Sequence, residues 1–119
     1  FMVRDYECDL QGIVNHAVYL HYFEHARHSY IAALGLNFKD LHCQGYDLVV
    51  TQIQVQYKRS LQSGDCFDVH SQLFKLSRLR YQFKQDIICH TQLMAHATVL
   101  LTCVSNGKPA ICPPVEDLF

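Results

Sequence analysis

Apolar and polar residues alternate in successive stretches through the second half of the chain, with turn residues between them, and this pattern most narrows the folds available. The first stretch sets Val49, Thr51, Ile53, Val55 and Tyr57 on one side and Gln52, Gln54, Gln56 and Lys58 on the other. That period of two marks a strand with one face buried. Ser63-Gly64-Asp65 is a turn signal, and residues 66–76, 80–89 and 93–104 alternate in the same way. Short connections at 77–79 and 89–92 predict that these three run as an antiparallel meander. Asn106-Gly107 with Pro109, Pro113 and Pro114 ends regular structure, and a short strand is expected over residues 2–6.

A single long helix precedes the strands. Tyr19, Phe23, Ala26, Tyr30 and Ala33 recur at three- and four-residue steps, which predicts a helix over residues 15–34. Asn15 is a suitable N-cap and Gly35 a suitable terminator. Its other faces carry Ala17, Val18, Leu20, Tyr22 and Ile31, so the helix is expected to be largely buried. A loop is expected around residues 42–45. One short strand, one long helix and four long strands without another helix imply an α+β fold. In it a curved antiparallel sheet of about five strands wraps the buried helix, the arrangement called the hotdog fold. Such a sheet leaves an edge and an outer face to be managed, so a homodimer or homotetramer is expected. With no repeat or linker, residues 1–119 are read as one domain.

Composition narrows the partners. Half of the 119 residues are hydrophobic and 18% are charged, which suits a packed globular chain. A net charge of −1 without a basic stripe argues against nucleic acid. No apolar run approaches the roughly 20 residues of a membrane span. The six cysteines form no C-x-x-C pair and are read as free thiols, which fits a reducing cytoplasmic compartment.

The chemistry centres on Val3-Arg4-Asp5-Tyr6-Glu7-Cys8-Asp9-Leu10-Gln11-Gly12-Ile13-Val14-Asn15-His16, which sets an acidic residue in a tight loop before the helix. Unpaired N–H groups of a first helical turn, helped by the helix dipole, can hold a carbonyl oxygen as negative charge builds on it. A nearby carboxylate can then act on the carbonyl carbon. From the residues alone, Asp9 fits that role or a structural one, closing an Asx-turn or favouring the helix dipole.

The run Asp9-Leu10-Gln11-Gly12-Ile13-Val14, followed by Tyr19, Glu24, Ala26 and Arg27, resembles the 4-hydroxybenzoyl-CoA thioesterase family of hotdog enzymes. A second block, Tyr57-Lys58-Arg59-Ser60-Leu61-Gln62-Ser63-Gly64-Asp65, resembles that family's turn motif. Within the family, Val3 to Glu7 and Val14 to Tyr19 are similar to plant acyl-lipid thioesterases and to small bacterial acyl-CoA thioesterases. The resemblance implies hydrolysis of acyl-CoA or acyl-carrier-protein thioesters, with no metal or cofactor. It implies Asp9, Gly12 and His16 as the catalytic group, the backbone N–H of His16 polarising the thioester carbonyl. Asn15, Tyr19, Lys58 and Arg59 follow as substrate-binding residues. Where some bacterial members have a Tyr four residues before the catalytic Asp, this chain has Asp5.

Other readings of the same residues are available. His21, His25 and His28 could share a helical face, but they form no HExxH and supply no clear further ligand. Cys8 with His16 could form a nucleophile pair, without a recognised motif around it. Lys58 and Arg59 are either solvated or positioned for the phosphates of coenzyme A or the acidic face of a carrier protein, and Arg78 and Arg80 have the same two readings. An acyl-thioester binding module without turnover is the non-catalytic alternative. Tyr22, Phe23 and Tyr30 line an acyl tunnel or fill the core.

Overall fold

The helix forms where its caps place it. In the computed structural model, which describes residues 1–119, α1 runs His16–Ala33. The Asn15 side chain accepts from the Ala17 N–H, and Gly35 leaves the last turn with φ +85°. A second helix, α2 (Phe38–Cys43), corrects the expectation of no further helix: the Asn37 side chain caps the Asp40 N–H, and of the expected loop residues 44–45 remain a turn. The strands are β1 (Asp47–Tyr57), β2 (Asp68–Lys75), β3 (Arg80–Cys89), β4 (Gln92–Ser105) and β5 (Lys108–Pro109), followed by α3 (Pro113–Glu116).

All strand pairs are antiparallel, in the order β1-β4-β3-β2 with β5 against β4. Tyr81, Phe83, Gln85 and Ile87 of β3 and Ala95, Ala97, Val99 and Leu101 of β4 are buried, which defines the inner face of the sheet. Helix α1 lies across this face on the β2 side. Its Tyr22, Phe23, Ala26 and Ile31 are buried, the Tyr30 hydroxyl reaches the Leu73 N–H at 3.4 Å, and the Tyr30 ring meets Phe83 edge-on. Tyr22, Phe23 and Tyr30 are packed into or against the core.

Helix and sheet are also joined by a buried polar bridge. Gln85 donates to the Phe23 carbonyl and to Ser71 Oγ, both at 3.0 Å, and accepts from the Arg27 guanidinium at 3.1 Å. Burial pushes the Arg27 pKa down from its ordinary value.

Four further expectations are corrected. Residues 2–6 form no strand: Met2 makes an isolated bridge to Cys66, and Asp5–Glu7 is a 3-10 turn whose Asp5 accepts from the Ser63 hydroxyl. The proline-rich end is not irregular, since Pro113 and Pro114 open α3, where a missing N–H costs nothing. Helix α1 buries one face only and leaves Ala17, Leu20 and Ala33 exposed.

The fourth concerns β1, where a bulge between Val50 and Gln52 changes the phase of the alternation. Val50, Ile53, Val55 and Tyr57 pair with Leu101, Val99, Ala97 and Ala95, so they share the inner face, while Val49 faces the other way. The head of α1 meets this part of the sheet at Tyr57, through His16 and Tyr19, yet Val50, Ile53 and Tyr57 remain 42%, 36% and 43% exposed. No helix is long and apolar enough to cross a membrane.

Candidate active site

The loop before α1 is closed by backbone bonds. The Asp9 N–H donates to the Ile13 carbonyl at 2.9 Å and the Gly12 N–H to the Asp9 carbonyl at 3.0 Å. One step further out, the Asn15 N–H donates to the Glu7 carbonyl and the Val14 N–H to the Leu61 carbonyl, which ties the loop to the turn motif far along the chain. Gly12 turns the corner at φ +81°, a region that side chains rarely adopt, and open space surrounds the position where a Cβ would stand. Its conformation, rather than close packing, calls for glycine.

Asp9 stands exposed on this loop. Its Oδ1 accepts from the Gln11 N–H at 2.8 Å, so the Asx-turn considered from sequence does form. A carboxylate has about four lone-pair sites, and this one keeps Oδ2 without a partner in the chain. The structural role therefore leaves the acid available for chemistry.

At the start of α1, the Ala17 N–H is capped by Asn15 and the Val18 N–H by the Asn15 carbonyl, whereas the His16 N–H has no partner in the chain. This free donor at the positive end of the helix is what an oxyanion contact requires. His16 forms part of the wall of a cleft of about 110 Å³ that is also lined by Ile13, Val14, Tyr19, Tyr57, Lys58, Arg59 and Ser60. Lys58 and Arg59 reach it because both of their N–H groups donate to the Met94 carbonyl, fixing the chain as it leaves β1. Their side chains are exposed and take part in no ion pair.

The structure thus gathers His16, Tyr19, Lys58 and Arg59 into one cleft. Asp9, Gly12 and Asn15 are not in its lining; they lie on the loop and cap that precede α1. Tyr19 is nearly buried; its hydroxyl accepts from the Leu61 N–H at 3.0 Å, and burial raises its pKa. What Tyr19 offers the cleft is its ring.

Ile13, Val14, Tyr57 and Ser60 are wall residues to which sequence reasoning gave no site role, and Tyr57 has the most extensive contacts. Its ring lies 4.7 Å from the His16 imidazole and 5.1 Å from the Tyr19 ring, and its hydroxyl donates to the His16 carbonyl at 3.3 Å. An aromatic residue on the inner face at the end of a strand was the available signal. Elsewhere on α1, His21, Glu24, His25 and His28 line a shallow depression. His25 packs edge-on to Phe1, and His28 packs on Phe38 and stands 3.9 Å from Glu24.

One long helix against a single antiparallel sheet, with an open cleft at the helix N-terminus, defines a hotdog-fold protein. Sequence comparison is equally direct: the chain belongs to the thioesterase-like superfamily, whose family model matches residues 3–118. It is 32% identical over 111 residues to the acyl-CoA thioesterase YbgC of Haemophilus influenzae, covering 91% of this chain and 82% of that protein. It is 35% identical over 85 residues to the chloroplastic acyl-acyl carrier protein thioesterase ATL2 of Arabidopsis thaliana, covering 71% of this chain but only 45% of that protein. Among solved structures, the DHNA-CoA thioesterase of Staphylococcus aureus superposes with a TM-score of 0.90 at 30% identity, covering 98% of this chain and 83% of the other.

Proposed function

We propose that this protein is a single-domain enzyme that hydrolyses acyl thioesters of coenzyme A or acyl-carrier protein to free acid and thiol. The observation that carries this reading is the unpartnered His16 N–H at the head of α1, preceded by a loop that presents an exposed carboxylate. The thioester carbonyl oxygen accepts from that N–H, and negative charge developing on it is met by the helix terminus. Asp9 then either attacks the carbonyl carbon, giving a mixed anhydride that water opens, or takes a proton from the attacking water. In both routes the thiolate leaves readily, so a positioned acid and an oxyanion contact suffice.

Gly12 contributes the backbone turn that sets Asp9, Asn15 fixes the start of the helix, and the Tyr19 ring forms part of the wall beside the acyl group. Lys58 and Arg59, unpaired and exposed at the cleft, are the groups for substrate phosphates. The CoA and carrier-protein thioesters named for the relatives above belong to this substrate class.

The test is a thiol-release screen across aromatic, short, medium and long acyl groups on both carriers. Release from at least one series is expected, with Lys58→Ala and Arg59→Ala raising KM severalfold more than they lower kcat. Tight acyl-CoA binding with no release would replace the enzyme by a binding module.

We also propose that two or more copies associate through the uncovered inner face of β1. An 11-residue edge strand with exposed Val50, Ile53 and Tyr57 is apolar surface that a lone chain leaves in water. Ile53→Lys is expected to shift the protein to monomer in sedimentation experiments; an unchanged mass would place the interface elsewhere. The six free thiols favour a reducing, cytoplasmic setting.

A further inference from the structure

Away from the cleft, the turn before β2 and the end of β3 bring three ligand-type side chains together. A carboxylate oxygen of Asp65, the Cys89 sulfur and an imidazole nitrogen of His90 all lie within 4.8 Å of one another. None of the three lines the cleft at the head of α1.

Neighbouring residues of a strand normally point to opposite faces. Cys89, the last residue of β3, is buried toward the core. His90 can bring its ring to the same group because it leaves the strand at φ +50°, followed by Thr91 at +63°. Such two-residue hairpin turns favour Asn-Gly or Asp-Gly, since side chains with a branched Cβ resist that conformation. Here the turn is made from a histidine and a threonine.

Asp65 is held in place. Its Oδ2 accepts from the Gln62 N–H at 2.8 Å, and its Oδ1 stands 4.0 Å from His90 Nε2. That distance is too long for a hydrogen bond. It is near the spacing of two donors on one ion, because bonds of about 2.0–2.3 Å at a tetrahedral angle set ligand atoms roughly 3.3–3.7 Å apart. The Cys89 thiol, which donates to the Cys66 carbonyl at 3.2 Å, is pushed up in pKa by burial and by the neighbouring Asp65 carboxylate. A cation among the three would reverse that balance, because coordination favours the thiolate.

We propose that Asp65, Cys89 and His90 bind a zinc-like divalent cation, with a fourth position open to water. Mixed sulfur, nitrogen and oxygen donors suit zinc, whereas magnesium and calcium take oxygen. Of the three, His90 lines a cavity of about 640 Å³ together with Cys66, Asp68 and His70, which leaves its side of the group open to solvent. On binding, the Cys89 thiol gives its proton to solvent and the sulfur takes the metal bond. The ion would pin the 62–65 turn to the β3–β4 hairpin. That turn holds the N-terminus through the Val3 N–H to Asp65 carbonyl bond.

The test is titration of the reduced full chain with Co²⁺, which reports tetrahedral geometry in the visible and thiolate coordination as an ultraviolet sulfur-to-cobalt band. One equivalent with both signals is expected, displaced by Zn²⁺. His90→Asn keeps a residue that tolerates the left-handed turn, and should weaken binding by at least the roughly 10–100-fold that loss of an outer-shell partner costs. Cys89→Ser should remove the ultraviolet band, with circular dichroism as the check on folding. If that variant does not fold, His90→Asn decides. Absence of the band in the parent, or an unchanged isotherm in His90→Asn, overturns the site, the latter by assigning the signal to exposed thiols such as Cys43.

Discussion

Asp9→Asn is expected to lower thiol release by roughly 10²–10⁴-fold, the contribution of a positioned acid–base group, while leaving the far-ultraviolet spectrum and thermal midpoint unchanged. The two effects separate because of how the loop is built. Asparagine retains a side-chain oxygen that can accept from the Gln11 N–H, and the remaining closure runs through backbone atoms of Asp9, Gly12, Ile13 and Asn15. The substitution therefore removes the negative charge and proton acceptor with little disturbance to the turn. A variant as active as the parent would remove Asp9 from the mechanism and leave the His16 N–H in need of another partner. A variant that loses activity and fold together would return Asp9 to its structural role.

Gln85→Leu is expected to destabilise the protein by about 3 kcal/mol, because it leaves the Arg27 guanidinium and the Ser71 hydroxyl short of a buried partner. Gln85 is 0% exposed and Arg27 8%, so water cannot readily replace what is lost. Replacing both polar residues, Arg27→Met with Gln85→Leu, should recover most of that loss, since no buried charge is then left unpaired. Urea denaturation of the two variants measures this directly. A single variant within about 0.5 kcal/mol of the parent would mean that the bridge contributes little, the range of an ordinary surface substitution. Equal losses in the single and double variants would assign the effect to packing.

The parts legible in the sequence are those fixed by local rules. Asn15 and Gly35 bracket α1 because each satisfies the backbone at one end, and the meander followed from strands long enough for the alternation to stand out. The likeness of two short blocks drew His16, Tyr19, Lys58 and Arg59 into one site, and folding places them around one cleft. What escaped depended on partners distant in the chain. A bulge near Thr51 reverses the phase of β1, and nothing in the local residues announces it. Residues 2–6 read as a strand, but the Ser63 hydroxyl on Asp5 and the Tyr22 hydroxyl on Glu7 hold a 3-10 turn over Asp5–Glu7. Gln85 sits where alternation requires an apolar residue, and only Arg27 and Ser71 explain it.

The loop carrying Asp9 has a consequence for how such a chain can change over generations. Its shape is written almost wholly in main-chain bonds and one glycine, while Leu10 and Gln11 project into solvent and hold nothing in place through their side chains. Mutational drift at those two positions can alter the surface beside Asp9 while the acid stays where it is. Selection for a new substrate then has room to work beside the carboxylate without first dismantling it.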